Sequence, residues 1–205
     1  MPEAAVPIKP RRWGLYAPFV VLAIAAVVWS LFWVQMRSQV LSAMDMRVQA
    51  LRQAGYQLDW KSRKLDGYPF RLDITLTEVQ VRDPSGWGLD MPRLEAEAYL
   101  HSAGHWVMAA PDGLTLARPL AGRLTVRGEV LRASLSQTAS HPPRFSFEGL
   151  KLTFAPQAGA QAFPLLTADR LEFHTRPGPD DQGAILAKLD GGQASGGALS
   201  VIAGG

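Results

Sequence analysis

The sequence predicts a mainly β protein held behind an N-terminal transmembrane helix. A juxtamembrane helix follows, and then a long-stranded antiparallel sheet curved into a partial barrel or paired as a sandwich. Three observations carry this reading. Leu15–Val34 is a run of twenty residues without a charged side chain. Met36, Val40, Met44, Val48 and Leu51 then recur at spacings of four and three, the stripe of an amphipathic helix. From Tyr56 onward the apolar period changes to two, the period of a strand with one buried face.

Residues 1–14 form a short tail that places Lys9, Arg11 and Arg12 before the apolar run, with only Glu3 opposing them. At 1.5 Å per residue the run 15–34 makes a helix about 30 Å long, the thickness of a bilayer's hydrocarbon core. Trp13 and Tyr16 flank one end and Trp29, Phe32 and Trp33 the other, where aromatic rings favour the headgroup region. Leu15, Trp29, Phe32 and Trp33 are the expected anchor residues. Pro18 is tolerated in the first turns, where few backbone donors are lost. The run is longer than a signal peptide's apolar region and ends in Leu31-Phe32-Trp33-Val34, a poor cleavage site, so an uncleaved signal-anchor is expected. The basic tail predicts that it stays in the cytoplasm and that the rest is exported. Ala26 and Ser30 form a small-xxx-small pair, a weak helix-pairing signal.

The juxtamembrane helix, 35–55, stops at Gly55 and is expected to continue from the anchor and pack on the sheet. The β-rich region, 56–190, begins with Tyr56, Leu58 and Trp60. Gly67-Tyr68-Pro69 breaks the chain. Phe70, Leu72, Ile74 and Leu76 then alternate with polar residues before the phase slips to Val79 and Val81, as at a β-bulge. Further strands are expected at Leu89–Leu100, Gly122–Gln137, Arg144–Phe154 and Phe163–Thr175, with an added strand at 183–190. Ile74, Leu76, Val79 and Val81 are echoed by Phe145, Phe147, Leu150 and Leu152, and Pro92-x-Leu94-x-Ala96 by Pro164-x-Leu166-x-Ala168, which suggests a repeated strand pair. Residues 191–205 read as a flexible Gly/Ala-rich tail or a truncated end. The candidate apolar sheet face is Phe70, Leu72, Ile74, Leu76, Phe145, Phe147, Leu150 and Leu152. An antiparallel sheet must cover such a face with protein or with lipid.

Charge argues against nucleic acid despite a pI near 9.4. Residues 1–64 hold nine Lys/Arg and three acids, whereas 65–205 hold twelve and fifteen. The positive charge is juxtamembrane and suits topology and anionic headgroups. The chain has no cysteine, which excludes disulfides and thiol chemistry. No P-loop, HExxH or GxSxG motif occurs. His101 and His105 lie four apart but flank Ser-Ala-Gly, with no third ligand near in sequence. Asp180-Asp181 sits in a turn-like Pro/Gly segment, and Arg93, Glu95 and Glu97 mark a solvated strand face. No catalytic, metal-binding or cofactor-binding residues are expected, and no enzymatic activity.

Gly67-Tyr68-Pro69-Phe70-Arg71, Asp83-Pro84, Gly86-Trp87, Pro92-x-Leu94-x-Ala96, the stretch His105–Pro111 and Leu131-Arg132-Ala133-Ser134 resemble the bacterial family catalogued as domain of unknown function 2125. The resemblance covers about Tyr56 to Ala187. It implies an anchored protein of the bacterial envelope with no assigned activity. More distantly, an anchor followed by long strands looks like AsmA-type envelope proteins, an analogy of architecture only. The expected partners are the lipid bilayer and either a lipid ligand or another envelope protein. The expected location is the bacterial inner membrane, single-pass, with the bulk of the chain periplasmic.

Overall fold

A computed structural model describes residues 13–100, 104–136, 143–178 and 182–195. The tail cations, His101, Asp180-Asp181 and most of the Gly/Ala-rich tail lie outside the described residues. The anchor run and the amphipathic stretch form one helix, α1 (Trp13–Gln53), of 41 residues. Pro18 sits in its second turn, and Gly55 follows its end at φ 90°. Ser30, Trp33, Met36, Val40, Leu41, Met44 and Val48 form the side turned toward protein, while Leu51 is exposed. The helix is long and apolar enough to cross a membrane.

Among the described residues, twelve strands form one antiparallel sheet. They are β1 (Gln57–Asp59), β2 (Ser62–Asp66), β3 (Arg71–Arg82), β4 (Gly88–Tyr99), β5 (Trp106–Ala109), β6 (Leu114–Arg118), β7 (Gly122–Arg127), β8 (Val130–Ser136), β9 (Arg144–Pro156), β10 (Leu165–Pro177), β11 (Gly183–Asp190) and β12 (Gln193–Ala194). They occupy only eight positions across the sheet, because several short strands sit end to end. β1 and β2 share one flank of β3. β6 and β5 share a flank of β4, and β7 and β8 a flank of β9. β12 and β11 share the outer flank of β10. The sheet is curved and does not close into a clean barrel.

All four exchanges of flanking strand fall on one line, and the four long strands change phase there. In β3 the buried residues are Leu72, Ile74 and Leu76, then Val79; in β4 the buried side chains are Met91, then Ala98. Register is nonetheless retained: Thr77 faces Arg93 and Val79 faces Met91. The skipped pair is Glu78, at φ 51°, opposite Pro92, which has no N–H to donate. The same crease crosses β9 and β10 at Lys151, at φ 50°, opposite Asp169. Lys61–Glu78 (2.5 Å), Arg93–Asp112 (3.2 Å) and Lys151–Asp169 (2.7 Å) pair along it. The two long hairpins are therefore alike, but the structural counterpart of Ile74 is Phe147, four residues before the crease, and not Phe145.

The core lies on the inner face, between sheet and helix. Leu72, Leu124 and Leu152 are its most deeply buried large side chains. Trp33 joins that cluster, and Met36, Val40, Leu41 and Met44 pack against it. The predicted strand Gly122–Gln137 is two strands, β7 and β8, split at the crease where Gly128 approaches the Leu150 carbonyl. β5 and β6 are additional strands that the alternation did not indicate.

Candidate functional site

The inner face is covered unevenly. The hydrogen bonds, ion pairs and ring contacts of α1 with the sheet fall on β1, β2, the start of β3 and the turn before it, among the described residues. Asp45 receives both guanidinium nitrogens of Arg63 (2.6 and 3.3 Å), and Arg52 pairs with Asp59 (2.9 Å). The Asp45 carboxyl is held below its ordinary range by the Arg63 hydrogen bond. Trp33 Nε1 donates to the Arg71 carbonyl (3.2 Å), and Trp29 Nε1 to the Pro69 carbonyl (2.9 Å). The helix thus lies along the β2–β3 side. Its N-terminal half leaves the sheet at the Gly67–Phe70 turn.

Four predicted face residues are buried on this covered side or at the crease: Leu72, Ile74, Leu76 and Leu152. Phe145 and Phe147 share the inner face but are only half-buried. Phe147 stands between Ala133 and Phe173, Phe145 opposite Leu135 and Thr175. The rings of Phe145 and Phe173 are 6.3 Å apart. Trp106 and Met108 extend the same surface across β5, facing Leu135 and Ala133. On β11, Ile185 and Leu189 stand opposite Thr175 and Leu171, both exposed. The inner face of β5 and β8–β11 is therefore an apolar, aromatic surface beyond the reach of the helix contacts on β1–β3, with Trp106, Phe147 and Leu171 at the margin of the core. Trp106, Met108, Leu135 and Phe173 were absent from the predicted set. The alternation of Leu131, Ala133 and Leu135, and of Leu171 and Phe173, was the signal that could have found them.

Two predicted face residues lie elsewhere. Leu150 faces Val130 and Arg170 on the outer face, because the inner position beside it is taken by Gly149. Phe70 precedes β3 and is 65% exposed, with its ring 5.9 Å from Trp29. Of the anchor residues, Leu15, Trp29 and Phe32 are exposed, whereas Trp33 belongs to the core. The Ser30 hydroxyl is 2.7 Å from the Ala26 carbonyl and 2.9 Å from Tyr68 Oη.

The outer face is charged, and many of its charges are paired. Glu148 accepts from Arg132 (2.8 Å) and Arg170 (2.8 Å), and Arg170 also meets Glu172 (2.5 Å). The Arg132 hydrogen bond holds the Glu148 carboxyl below its ordinary range, with Arg170 adding to it. Asp90 is shared by Arg82 and Arg123. Shallow grooves over Ser134, Ser146 and His174, and over Asp73, Glu95 and Glu97, are lined by such partners. Arg93 pairs with Glu95 (3.4 Å) and Arg71 with Glu97 (3.5 Å). Among the described residues, no group of three or more His, Cys, Asp or Glu is placed to hold a metal ion. The arrangement offers an apolar surface for contact, backed by a charged wall.

No curated protein and no solved structure matches the chain. One family model, described as uncharacterized protein conserved in bacteria (DUF2125), matches residues 33–203, from Trp33 in the core cluster through every strand. The chain belongs to that family.

Proposed function

We propose that this protein is a single-pass, non-enzymatic component of the bacterial envelope that takes the acyl chain of a lipid onto the uncovered half of its inner sheet face. The apolar helix spans the inner membrane, and the basic tail keeps the β domain on the periplasmic side. One observation carries the reading. The helix lies over the β2–β3 side of the inner face and leaves Phe145, Phe147, Phe173 and Trp106 half-buried over β5, β9 and β10. By register, the ends of β5, β9 and β10 that carry this surface lie at the same end of the sheet as the start of β3, where the apolar helix departs. An acyl chain entering there meets a continuous dry wall and loses little apolar contact on leaving the bilayer.

The test is native mass spectrometry with lipid extraction on the full chain in detergent. The helix cannot be trimmed back to the strands, since Trp33 and Val48 are core residues. Bound lipid in the parent, lost in Phe147→Asp with the far-UV spectrum retained, supports the reading. Absence of lipid from the parent overturns it. A reporter fused after residue 60 that is active only in the cytoplasm overturns the orientation.

A second reading is a scaffold for another envelope protein. The observation in its favour is β11, an edge strand among the described residues, with Ile185 71% and Leu186 60% exposed on opposite faces. Such an edge is a template for strand addition. Crosslinking from β11 that recovers one defined protein favours this reading.

A further inference from the structure

The Gly67–Phe70 turn is larger and more aromatic than the closure of β2 onto β3 requires, and it is tied to the helix. The Pro69 carbonyl accepts from Trp29 Nε1 (2.9 Å) and the Arg71 carbonyl from Trp33 Nε1 (3.2 Å). Tyr68 Oη meets Ser30 Oγ (2.9 Å), and its ring stands edge-on to Trp33 at 5.5 Å. These bonds satisfy both indole donors and fix the turn at one height along α1. Outward from them the surface is aromatic and exposed: Tyr68 55%, Phe70 65%, Trp29 and Phe32. Trp29 touches both Phe32 (5.6 Å) and Phe70 (5.9 Å), so these three rings form one patch rather than scattered apolar residues, with Tyr68 on the same turn against Trp33.

We propose that this patch is a membrane-contact collar in which Tyr68 and Phe70 enter the headgroup–acyl boundary of the bilayer beside Trp29 and Phe32. The inference rests on the helix being a membrane anchor. Two observations favour the bilayer over a protein partner. The patch is continuous with the apolar span that ends at Val34. Its depth also agrees: from Trp13 to Trp33 the helix rises about 30 Å, so a bilayer whose one boundary meets Trp13 has its other at the turn. Rings with a polar tip and an apolar body suit that boundary. Arg71, half-exposed and paired with Asp73 and Glu97, follows on the aqueous side. The domain accordingly rests on the membrane by two elements, and its half-open inner face is held against the bilayer.

The absence of cysteine makes single labelling clean. The full chain is reconstituted in vesicles of phosphatidylethanolamine and phosphatidylglycerol with an environment-sensitive fluorophore at Val27→Cys, Phe70→Cys or Leu120→Cys. Spin-labelled lipids quench from the boundary or from the bilayer centre, and iodide quenches from water. A label at Tyr68→Cys repeats the measurement on the same turn with Phe70 in place. The collar requires residues 68 and 70 to be quenched several-fold more by boundary-labelled lipid than residue 120 is, with residue 27 quenched from the centre. Iodide quenching at 68 and 70 equal to that at 120, with residue 27 still in the bilayer, overturns the collar and leaves the anchor standing. A label at 27 quenched by iodide overturns the anchor, and the collar with it.

Discussion

Leu152 occupies space that two glycines leave open, and this gives a sharp test of the crease. A Cβ on Gly149 would stand 2.8 Å from both Cδ atoms of Leu152, and one on Gly128 would stand 2.7 Å from Cδ2. Leu152 is 1% exposed, so it has little room to yield. Gly149→Ala should therefore overpack the core at a cost of about 1–3 kcal/mol. The smaller backbone entropy loss of alanine offsets about 0.5–1 kcal/mol of that. Leu152→Ala alone should cost about 2–5 kcal/mol through lost burial and a cavity. Removing the leucine removes the clash, so in the Leu152→Ala background Gly149→Ala becomes neutral or stabilising by up to about 1 kcal/mol. The cycle then shows a coupling of about 1–3 kcal/mol. It is read from denaturant unfolding of the four full-length chains in one detergent, followed by far-UV circular dichroism. If Gly149→Ala costs the same in both backgrounds, Leu152 does not fill the glycine notch and the packing argument fails.

Glu148 is held ionised in the folded state by Arg132 and Arg170. Its contribution is fully present above its unfolded pKa and is lost as pH falls through the lower folded value, so Glu148→Gln should flatten the acid limb of Tm against pH. An unchanged acid limb would show that the pair is not coupled to folding. Lys151 holds a left-handed backbone at φ 50° within a strand, a conformation that favours glycine. Lys151→Gly should raise Tm by a few degrees despite losing the Asp169 partner, and Lys151→Val should lower it; the reverse order in thermal melts would remove the strain argument. Arg63→Ala should free the helix from β2 and speed proteolysis after Arg47 and Arg52, with cleavage sites identified by mass spectrometry; an unchanged digestion rate would show that the Asp45 pair does not hold the helix down.

Much of the architecture was legible because each element wrote its period into the chain. The anchor run and the stripe at Met36, Val40, Met44 and Val48 announced α1. The slip between Leu76 and Val79 announced the crease in β3. The same device was misplaced in β9 because Gly149 fills an inner position with no side chain. The alternation lost a beat there, and Leu150 stood in as the next apolar residue. β5 and β6 escaped notice because Trp106–Ala109 is only four residues long and Leu114–Arg118 five, too short for alternation to declare itself. The role of Tyr68 and Phe70 was not readable from periodicity, since it depends on where residue 29 stands relative to residue 69. The candidate surface was half legible. Phe145 and Phe147 followed from pattern, but which half of the face the helix leaves uncovered is a matter of packing, decided by pairs such as Asp45 with Arg63.

The crease also governs how the domain comes apart. β3, β4, β9 and β10 run through both sides of it at 12 or 13 residues each, while every shorter strand stops at it. Neither side owns its long strands, so opening one side strips the other of its pairing partners. The two sides should therefore exchange their amides as one cooperative unit, with the slowest amides expected where the four long strands pair across both sides. The short flanking strands should open first, β11 before β1 and β2, because the helix is pinned to those two.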